Sequence, residues 1–285
     1  MIKRMFELAR KHTSLLILVA LLLAPLAMLR AADPAAGAKL PPKEQFHVFL
    51  LVGQSNMAGR GRVEPGDRQP HPRVLMLNQA GQWVPAIDPL HFDKPSVAGV
   101  GLGKTFGIEI AEANPGITVG LVPCAMGGSP IDSWKPGEKS PFWDDALRRA
   151  RLALESGQLK GILWHQGEAD STAKLAPEYE QKLHELVARF RKELNAPEAP
   201  FLAGQMGQFS PWSDAQKTVD AAQRRLPDKV AHTAFVSSDG LTHKGDRVHF
   251  DSKSYREFGR RYANAWKALC ESKEKERKDS PKADK

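Results

Sequence analysis

Ser55 is the residue whose surroundings most favour chemistry in this 285-residue chain. An apolar run over residues 49–52 leads into Gly53, and Ser55 follows between two amide side chains, Gln54 and Asn56. Such a run is typical of a buried strand in a parallel sheet, and α/β folds place reactive groups in the loop after the strand. Ser55 is therefore a candidate nucleophile that needs a base and an oxyanion site from elsewhere. The alternative role is a cap for the next helix.

Asp246 and His249 lie three positions apart in the loop before the last predicted helix. At this spacing the carboxylate can fold back and accept the imidazole Nδ1–H, which leaves Nε2 free to take a proton from a serine. The alternative is that both residues only shape a turn and a helix entry. His243, with Asp239 four residues before it, is the competing base, and it ranks second because no carboxylate stands three residues before it.

Two other loops supply candidate donors for an oxyanion. Gly127 and Gly128 follow a predicted strand and offer backbone N–H groups without a Cβ in the way. Gln166 follows another predicted strand and brings a side-chain amide. A tight turn or a capped loop would explain the same residues. Because the carboxyl ends of parallel strands share one edge of a sheet, we expect these loops to meet Ser55 there.

The elements that must position these residues alternate between strand and helix. This order predicts a parallel sheet covered on both faces. The predicted strands are 47–52, 117–122, 161–164, 201–204 and 230–237, and the predicted helices are 102–113, 144–156, 177–194, 213–225 and 252 to about 270. The Pro/Gly-rich stretch 59–95 contains a predicted hairpin of 74–77 and 82–84, and connections of such length are usually functional.

The amino-terminal 32 residues have the pattern of a secretory signal peptide. Four basic residues precede an apolar run over 15–29, and Ala31 and Ala32 follow it. The run is shorter than the ~20 residues of a spanning helix, and Pro25 interrupts it. We therefore predict export to the periplasm or the exterior; the alternative is an uncleaved anchor, because Arg30 stands near the cleavage point. A linker (33–45), one folded domain (46–270) and a disordered charged tail (271–285) are expected to follow.

Composition excludes several classes of protein. The formal charge of +8 lies mainly in the ends, since 1–32 carry +4 and 273–285 carry +2, and no Lys/Arg stripe with interleaved aromatics indicates a nucleic-acid partner. Two cysteines, Cys124 and Cys270, exclude a disulfide-rich scaffold, and we expect no bridge between them. Neither C-x-x-C nor H-E-x-x-H is present, so no metal site is expected. We also expect no cofactor and no stable membrane partner.

Four motifs follow predicted strands along the chain: Gly53-Gln54-Ser55-Asn56-Met57, Gly127-Gly128-Ser129, Trp164-His165-Gln166-Gly167-Glu168 and Asp246-x-x-His249. In this order they resemble the SGNH (GDSL-like) hydrolase superfamily, and within it the sialate O-acetylesterase and carbohydrate esterase family 6 (acetylxylan esterase-like) branch. The resemblance covers roughly residues 46–266. An α/β-hydrolase elbow is excluded, because G-x-S-x-G would require Gly at position 57.

The resemblance implies a three-layer α/β/α, flavodoxin-like fold with a five-stranded parallel sheet. It also implies a metal-independent serine esterase that removes O-acetyl groups from carbohydrates. Ser55 would be the nucleophile, His249 the base and Asp246 its orienter.

The resemblance further implies an oxyanion hole made of the N–H groups of Ser55 and Gly128 and the amide of Gln166, with Gly127 as the alternative to Gly128. Gln54, Asn56 and Glu168 would be supporting residues, and we expect Glu168 to hold Gln166 or the Ser55 loop by hydrogen bonds.

Several alternatives stay open at this stage. A carbohydrate-binding protein without chemistry would use the same cleft, and a metal-dependent hydrolase would recruit His165, His243 and His249 with Asp170 or Asp246. A third alternative is an esterase that acts on lipid, aryl or other small acyl esters. Trp134, Trp143 and Trp212 are candidates to stack on a sugar, against the alternative that they pack in the core or at its rim.

Overall fold

A seven-stranded sheet forms the centre of the computed structural model, which describes residues 40–137 and 141–279. The order across the sheet is β3-β2-β4-β1-β5-β6-β7. All neighbours are parallel except β2 and β3, which are antiparallel. The strands are β1 (Phe46–Gly53), β2 (Val74–Leu77), β3 (Trp83–Pro85), β4 (Thr118–Pro123), β5 (Gln158–His165), β6 (Phe201–Gly204) and β7 (Thr233–Val236).

The sheet has two strands more than the five that the sequence predicted. The hairpin of β2 and β3 was predicted, but β2 also pairs in parallel with β4, with Val74 opposite Val119. All four residues of β2 are apolar and buried, so the strand is stabilised on both faces of the sheet instead of lying in a loop. The prediction of a parallel α/β fold is confirmed, and the strand count is corrected to seven.

β1 is the strand from which the candidate nucleophile follows, and it lies between β4 and β5. Its apolar side chains alternate between the two faces of the sheet, as the period of a strand requires. Phe46, Val48, Leu50 and Val52 belong to the core on one face, whereas Phe49 and Leu51 belong to the core on the other. A strand buried on both faces holds its carboxyl end in a fixed position.

Helices cover both faces of the sheet, which confirms the three-layer prediction. A one-turn helix, α1 (Ser55–Ala58), follows β1 directly. One face packs against side chains of α3 (Pro141–Ser156), α4 (Tyr179–Glu193) and α5 (Asp214–Lys229). The other packs against α2 (Gly103–Ala113) and α6 (Ser252–Asp279). Hydrogen bonds from Tyr262 to the carbonyl of Trp164 and from Trp266 to that of Lys160, both 2.8 Å, fix α6 on β5.

The ends of the chain only partly fall within the described residues. The predicted signal peptide (1–32), most of the predicted linker and residues 280–285 lie outside them. α6 continues to Asp279, so residues 271–279 are helical where a disordered tail was predicted. This segment is rich in Lys, Glu and Arg, which favour helix, and Lys273 pairs with Glu198 at 2.5 Å.

Two further observations concern cysteines and membranes. Cys124 and Cys270 form no disulfide with each other. None of the helices in the described part combines the length and the apolar character needed to cross a membrane.

Candidate active site

Ser55 lies in a sharp turn at the carboxyl end of β1. Gly53 adopts φ +130°, and a Cβ at this position would collide with the carbonyl of His165, so the turn requires glycine. The N–H of Gln54 donates to the same carbonyl at 2.9 Å, after which α1 begins at Ser55. Ser55 is 8% exposed and directly follows a strand that is buried along almost its whole length.

The structure brings Ser55, His249 and Asp246 into one hydrogen-bonded chain. His249 Nε2 lies 3.0 Å from Ser55 Oγ, and His249 Nδ1 lies 2.7 Å from Asp246 Oδ2. Asp246 Oδ1 accepts the backbone N–H groups of Val248 and His249, each at 2.9 Å. Burial raises the pKa of Asp246, but these hydrogen bonds outweigh it and hold that pKa well below its ordinary value. The ionised carboxylate is thus set to accept Nδ1–H and to leave Nε2 as the acceptor for a serine proton.

A short hairpin over residues 242–251 carries both partners of Ser55. Its backbone is closed by hydrogen bonds of 3.0 Å from Lys244 N–H to the carbonyl of His249 and from Asp251 N–H to that of Thr242. Phe250 anchors the hairpin, since its ring packs edge-on against Phe258 of α6 at 5.2 Å. The base is therefore held on a packed element instead of on a free loop.

His243, the competing base, has a different place. Its Nδ1 accepts the backbone N–H groups of Gly245 at 2.9 Å and Arg247 at 3.4 Å, and Asp239 is bonded to the side-chain amide of Gln208 instead. Arg247 has φ +57°, a strained conformation for a residue with a side chain. His243 thus shapes the turn that presents Asp246.

The backbone N–H groups of Ser55 and Gly128 are available as oxyanion donors. Neither has a hydrogen-bond acceptor among the described residues. Gly128 adopts φ +83° with open space around its Cα, in a loop that is tied to β1 by a 2.9 Å bond from Met126 N–H to the carbonyl of Gly53. The two donors therefore lie on neighbouring loops of adjacent strands.

Gly127 cannot take the place of Gly128. Its N–H donates to Asp93 Oδ2 at 2.9 Å, and the same carboxylate forms a buried ion pair of 2.6 Å with Arg60. A Cβ at Gly127 would meet the Arg60 guanidinium at 2.6 Å. Arg60 and Asp93 therefore fix the oxyanion loop, and only the unusual length of the stretch 59–95 indicated from the sequence that such residues lay there.

Gln166 does not present a free amide, which corrects its predicted role as the third donor. Its side chain is fully buried, and Nε2 donates to the carbonyl of Ser129 at 3.2 Å and to Asp170 Oδ2 at 2.5 Å. Asp170 also accepts the N–H of Ile131 at 2.8 Å, and burial raises the pKa of this carboxyl group above its ordinary value. Gln166 and Asp170 together hold the loop that carries Gly128.

The three predicted supporting residues connect the loops around Ser55. Asn56 Nδ2 donates to Glu168 Oε1 at 2.6 Å and to the carbonyl of Val248 at 3.0 Å, and Asn56 Oδ1 accepts from the hydroxyl of Tyr255 at 2.7 Å. Glu168 thus holds the Ser55 loop, one of the two roles expected of it. Gln54 Oε1 accepts the N–H of Ala169 at 3.3 Å.

Two of the three candidate tryptophans and His165 are buried in the core. Trp134 and Trp143 are at most 1% exposed and belong to the core, so neither can stack on a sugar; Trp212 is half-buried. His165 is fully buried, with Nε2 3.0 Å from the carbonyl of Gln205. Within residues 40–137 and 141–279, no three His, Cys, Asp or Glu side chains are grouped as a metal site would require.

The fold and the site define a class of protein. A three-layer α/β/α fold, a Ser–His–Asp chain at the carboxyl edge of its parallel sheet and two free N–H donors are the features of SGNH-type hydrolases. A model of the family described as carbohydrate esterase, sialic acid-specific acetylesterase, matches residues 45–268. The chain belongs to this family, and it is an esterase of the carboxylic ester hydrolase kind.

Individual proteins agree with this result. A "probable carbohydrate esterase", At4g34215 of Arabidopsis thaliana, is 28% identical over 253 residues, which are 82% of this chain and 94% of the relative. The crystal structure of that Arabidopsis protein superposes with a TM-score of 0.72 at 29% identity, over 80% of this chain and 99% of its own. The crystal structure of NanS shares the fold, with a TM-score of 0.67 at 19% identity over 82% of this chain and 100% of its own.

Proposed function

We propose that this protein removes O-acetyl groups from carbohydrates through an acetyl-serine intermediate on Ser55. The observation that carries the proposal is the hydrogen-bonded chain from Asp246 through His249 to Ser55, with distances of 2.7 and 3.0 Å, in a member of a carbohydrate esterase family. These distances lie within the reach that proton transfer from a nucleophile requires.

The first half of the reaction forms the acyl-enzyme. His249 Nε2 takes the proton of Ser55 Oγ while that oxygen bonds to the acetyl carbonyl carbon. The carbonyl oxygen becomes an oxyanion, which the N–H groups of Ser55 and Gly128 stabilise; removing one such donor costs about 2.7–4 kcal/mol in enzymes of this type. The bond from the carbonyl carbon to the sugar oxygen then breaks, and the sugar hydroxyl leaves with the proton from His249.

The second half repeats these steps with water. His249 takes a proton from a water molecule whose oxygen bonds to the acetyl carbon, and the same N–H groups stabilise the second oxyanion. The bond to Ser55 Oγ breaks, the serine recovers its proton from His249, and acetate leaves. Asp246 stays ionised throughout and stabilises the imidazolium that forms in each half.

Export is part of the proposal. The basic start of the chain, the apolar run over 15–29 and the small residues at 31 and 32 support a secretory signal peptide. An exported carbohydrate esterase would meet the acetylated glycans of cell walls or cell surfaces. Cleavage near residue 32 is checked by sequencing the amino terminus of the protein recovered outside the cytoplasm.

The test of the activity is acetate release from p-nitrophenyl acetate and from acetylated xylan, with EDTA present. We expect activity in the wild type and its loss in Ser55→Ala. Ser171→Ala is the matched control, because this hydroxyl bonds the carbonyl of Gly167 in a neighbouring loop without touching the triad. Loss of activity to EDTA would contradict the serine mechanism. A folded protein without activity on any acetyl ester would favour a carbohydrate-binding role, and activity on other acyl esters alone would change the substrate.

A further inference from the structure

A cavity of about 290 Å³ adjoins the loop that carries the oxyanion donor Gly128. Its lining comes from the loop after β4, including Met126, and from the His91–Asp93 segment of the long connection before α2. Met126 N–H bonds to the carbonyl of Gly53, two residues before Ser55, and Asp93 bonds to the N–H of Gly127. The cavity and the candidate active site therefore share a wall.

The order of the strands places part of this lining beside the loop of Ser55. Ser55 follows β1, and the lining residues 123–126 stand at and after the end of β4, the neighbouring strand. Neighbouring strands lie about 4.8 Å apart, so the loop after β4 is the part of the lining that lies next to the Ser55 loop.

The lining combines aromatic rings with polar groups, as sugar-binding sites do. Phe92 and Phe142 are half-buried and line the cavity together with the exposed amide of Gln79. The guanidinium of Arg149 lies 4.7 Å over the ring of Phe92 and donates to the carbonyl of Leu77 at 2.7 Å. One face of the Phe92 ring is thus fixed against a buried group, so the ring is held as a preformed wall.

No unpaired charge lines the cavity among the described residues. Asp93 is paired with Arg60, and Asp145 is paired with Arg148, each at 2.6 Å. Burial lowers the pKa of His91 to about 4, so its imidazole is neutral near neutral pH. The chemistry of the lining matches an uncharged ligand that carries hydroxyl groups.

We infer that this cavity is a subsite for a neutral sugar ring adjacent to the acetylated sugar, so that the protein acts on acetylated oligosaccharides in preference to acetylated monosaccharides. This inference rests on the proposed function and gives its substrate class. The aromatic groups that contact sugar are then Phe92 and Phe142, in place of the tryptophans that the sequence suggested.

The test is binding of unacetylated xylotriose and mannotriose to the full chain by isothermal titration calorimetry, which requires no catalysis. We expect binding of at least one of them by the wild type and about fivefold or greater weakening in Phe92→Ala. Phe235→Ala is the matched control, because the ring of this half-buried residue of β7 lies 4.8 Å under Arg224, at the opposite edge of the sheet. Phe235→Ala should bind these trisaccharides as tightly as the wild type does.

Two outcomes overturn the subsite: no binding of either sugar by the wild type, or equal binding by Phe92→Ala. If Phe92→Ala does not fold, Gln79→Ala makes the same test, because this side chain is exposed.

Acetate release then separates the two proposals. Phe92→Ala should lose the preference for acetylated xylotriose over acetylated xylose that the wild type shows. A wild type inactive on every acetyl ester refutes the esterase proposal, while calorimetry still decides the subsite.

Discussion

Replacing Asp246 by Asn tests the geometry of the triad most sharply, because the change is isosteric. The carboxylate bonds His249 Nδ1 at 2.7 Å, and its other oxygen accepts two backbone N–H groups. Asn can keep the backbone bonds through Oδ1, but its NH₂ group would donate to Nδ1. The imidazole proton would then move to Nε2, which could no longer accept the proton of Ser55.

The size of the effect follows from distance and exposure. Two unit charges about 4 Å apart interact by about 4 kcal/mol at an effective dielectric constant of 20 and by about 1 kcal/mol in water. The side chain of Asp246 is 36% exposed, which indicates an intermediate value of about 2 kcal/mol. Loss of the charge alone would therefore lower kcat about 30-fold. The wrong tautomer lowers kcat further, and we expect a total fall of about 10²- to 10³-fold.

The assay is initial-rate hydrolysis of p-nitrophenyl acetate by Asp246→Asn beside Lys244→Met. Lys244 Nζ lies 3.7 Å from Asp246, and such an exposed cation should change kcat less than about threefold. If Asp246→Asn keeps more than about a third of the wild-type kcat, or if the kcat of Lys244→Met falls as far as that of Asp246→Asn, the Asp246 carboxylate does not have this role.

The same residue gives a prediction for acid stability. Because its hydrogen bonds depress the pKa of Asp246 in the folded protein, its contribution is fully present above the ordinary pKa of 3.8 and is lost as pH falls below that value. Urea unfolding should therefore show a stability difference between wild type and Asp246→Asn at neutral pH that narrows only below about pH 4. A difference that narrows already near neutrality would contradict the depressed pKa.

Three further predictions concern other residues of the site and the fold. Gly128→Ala should lower kcat by about 10²-fold with little change in KM, because it displaces an oxyanion donor. Gly240 has a similar positive φ of +73° and equally open space, so Gly240→Ala should lose stability in thermal unfolding but keep its kcat. His243→Phe removes the acceptor of two N–H groups of the turn and should lower kcat about tenfold, whereas His243→Asn restores an acceptor and part of the activity. Equal kcat values for the two variants would contradict the role of His243 in the turn. Burial raises the pKa of Asp88 to about 7, so the stability of the wild type should fall as the pH rises from about 4 to about 7. Urea unfolding should show that Asp88→Asn becomes more stable relative to the wild type as the pH rises over this range.

The parts of the fold that the sequence predicted are those governed by local pattern. The apolar run of β1 and the alternation of strands and helices determine the parallel sheet, and the three-residue spacing of Asp246 and His249 determines their hydrogen bond. The sequence predicted β2 only as one strand of a hairpin in the long connection, because its four apolar residues carry no periodicity that indicates a further partner. Its parallel pairing with β4 makes it part of the sheet.

The parts of the site that the sequence did not predict depend on tertiary contacts. The sequence indicated that the Gln166 amide is a free donor, but in the folded protein this amide donates to Asp170 at 2.5 Å. Trp134 lies near the active-site loops in the sequence, but it packs edge-on against Trp164 at 5.6 Å in the core. The pairing of Arg60 with Asp93 joins two positions of the long connection whose contact no local pattern encodes.

The central claim is that Ser55 is the nucleophile, and labelling with paraoxon tests it most directly. A serine activated by His249 should displace p-nitrophenolate and keep the diethylphosphoryl group, which mass spectrometry locates on a tryptic peptide. Esterase activity should fall in proportion to the fraction of Ser55 that carries this group. Complete inactivation with Ser55 unmodified, or full activity with Ser55 labelled, would contradict it.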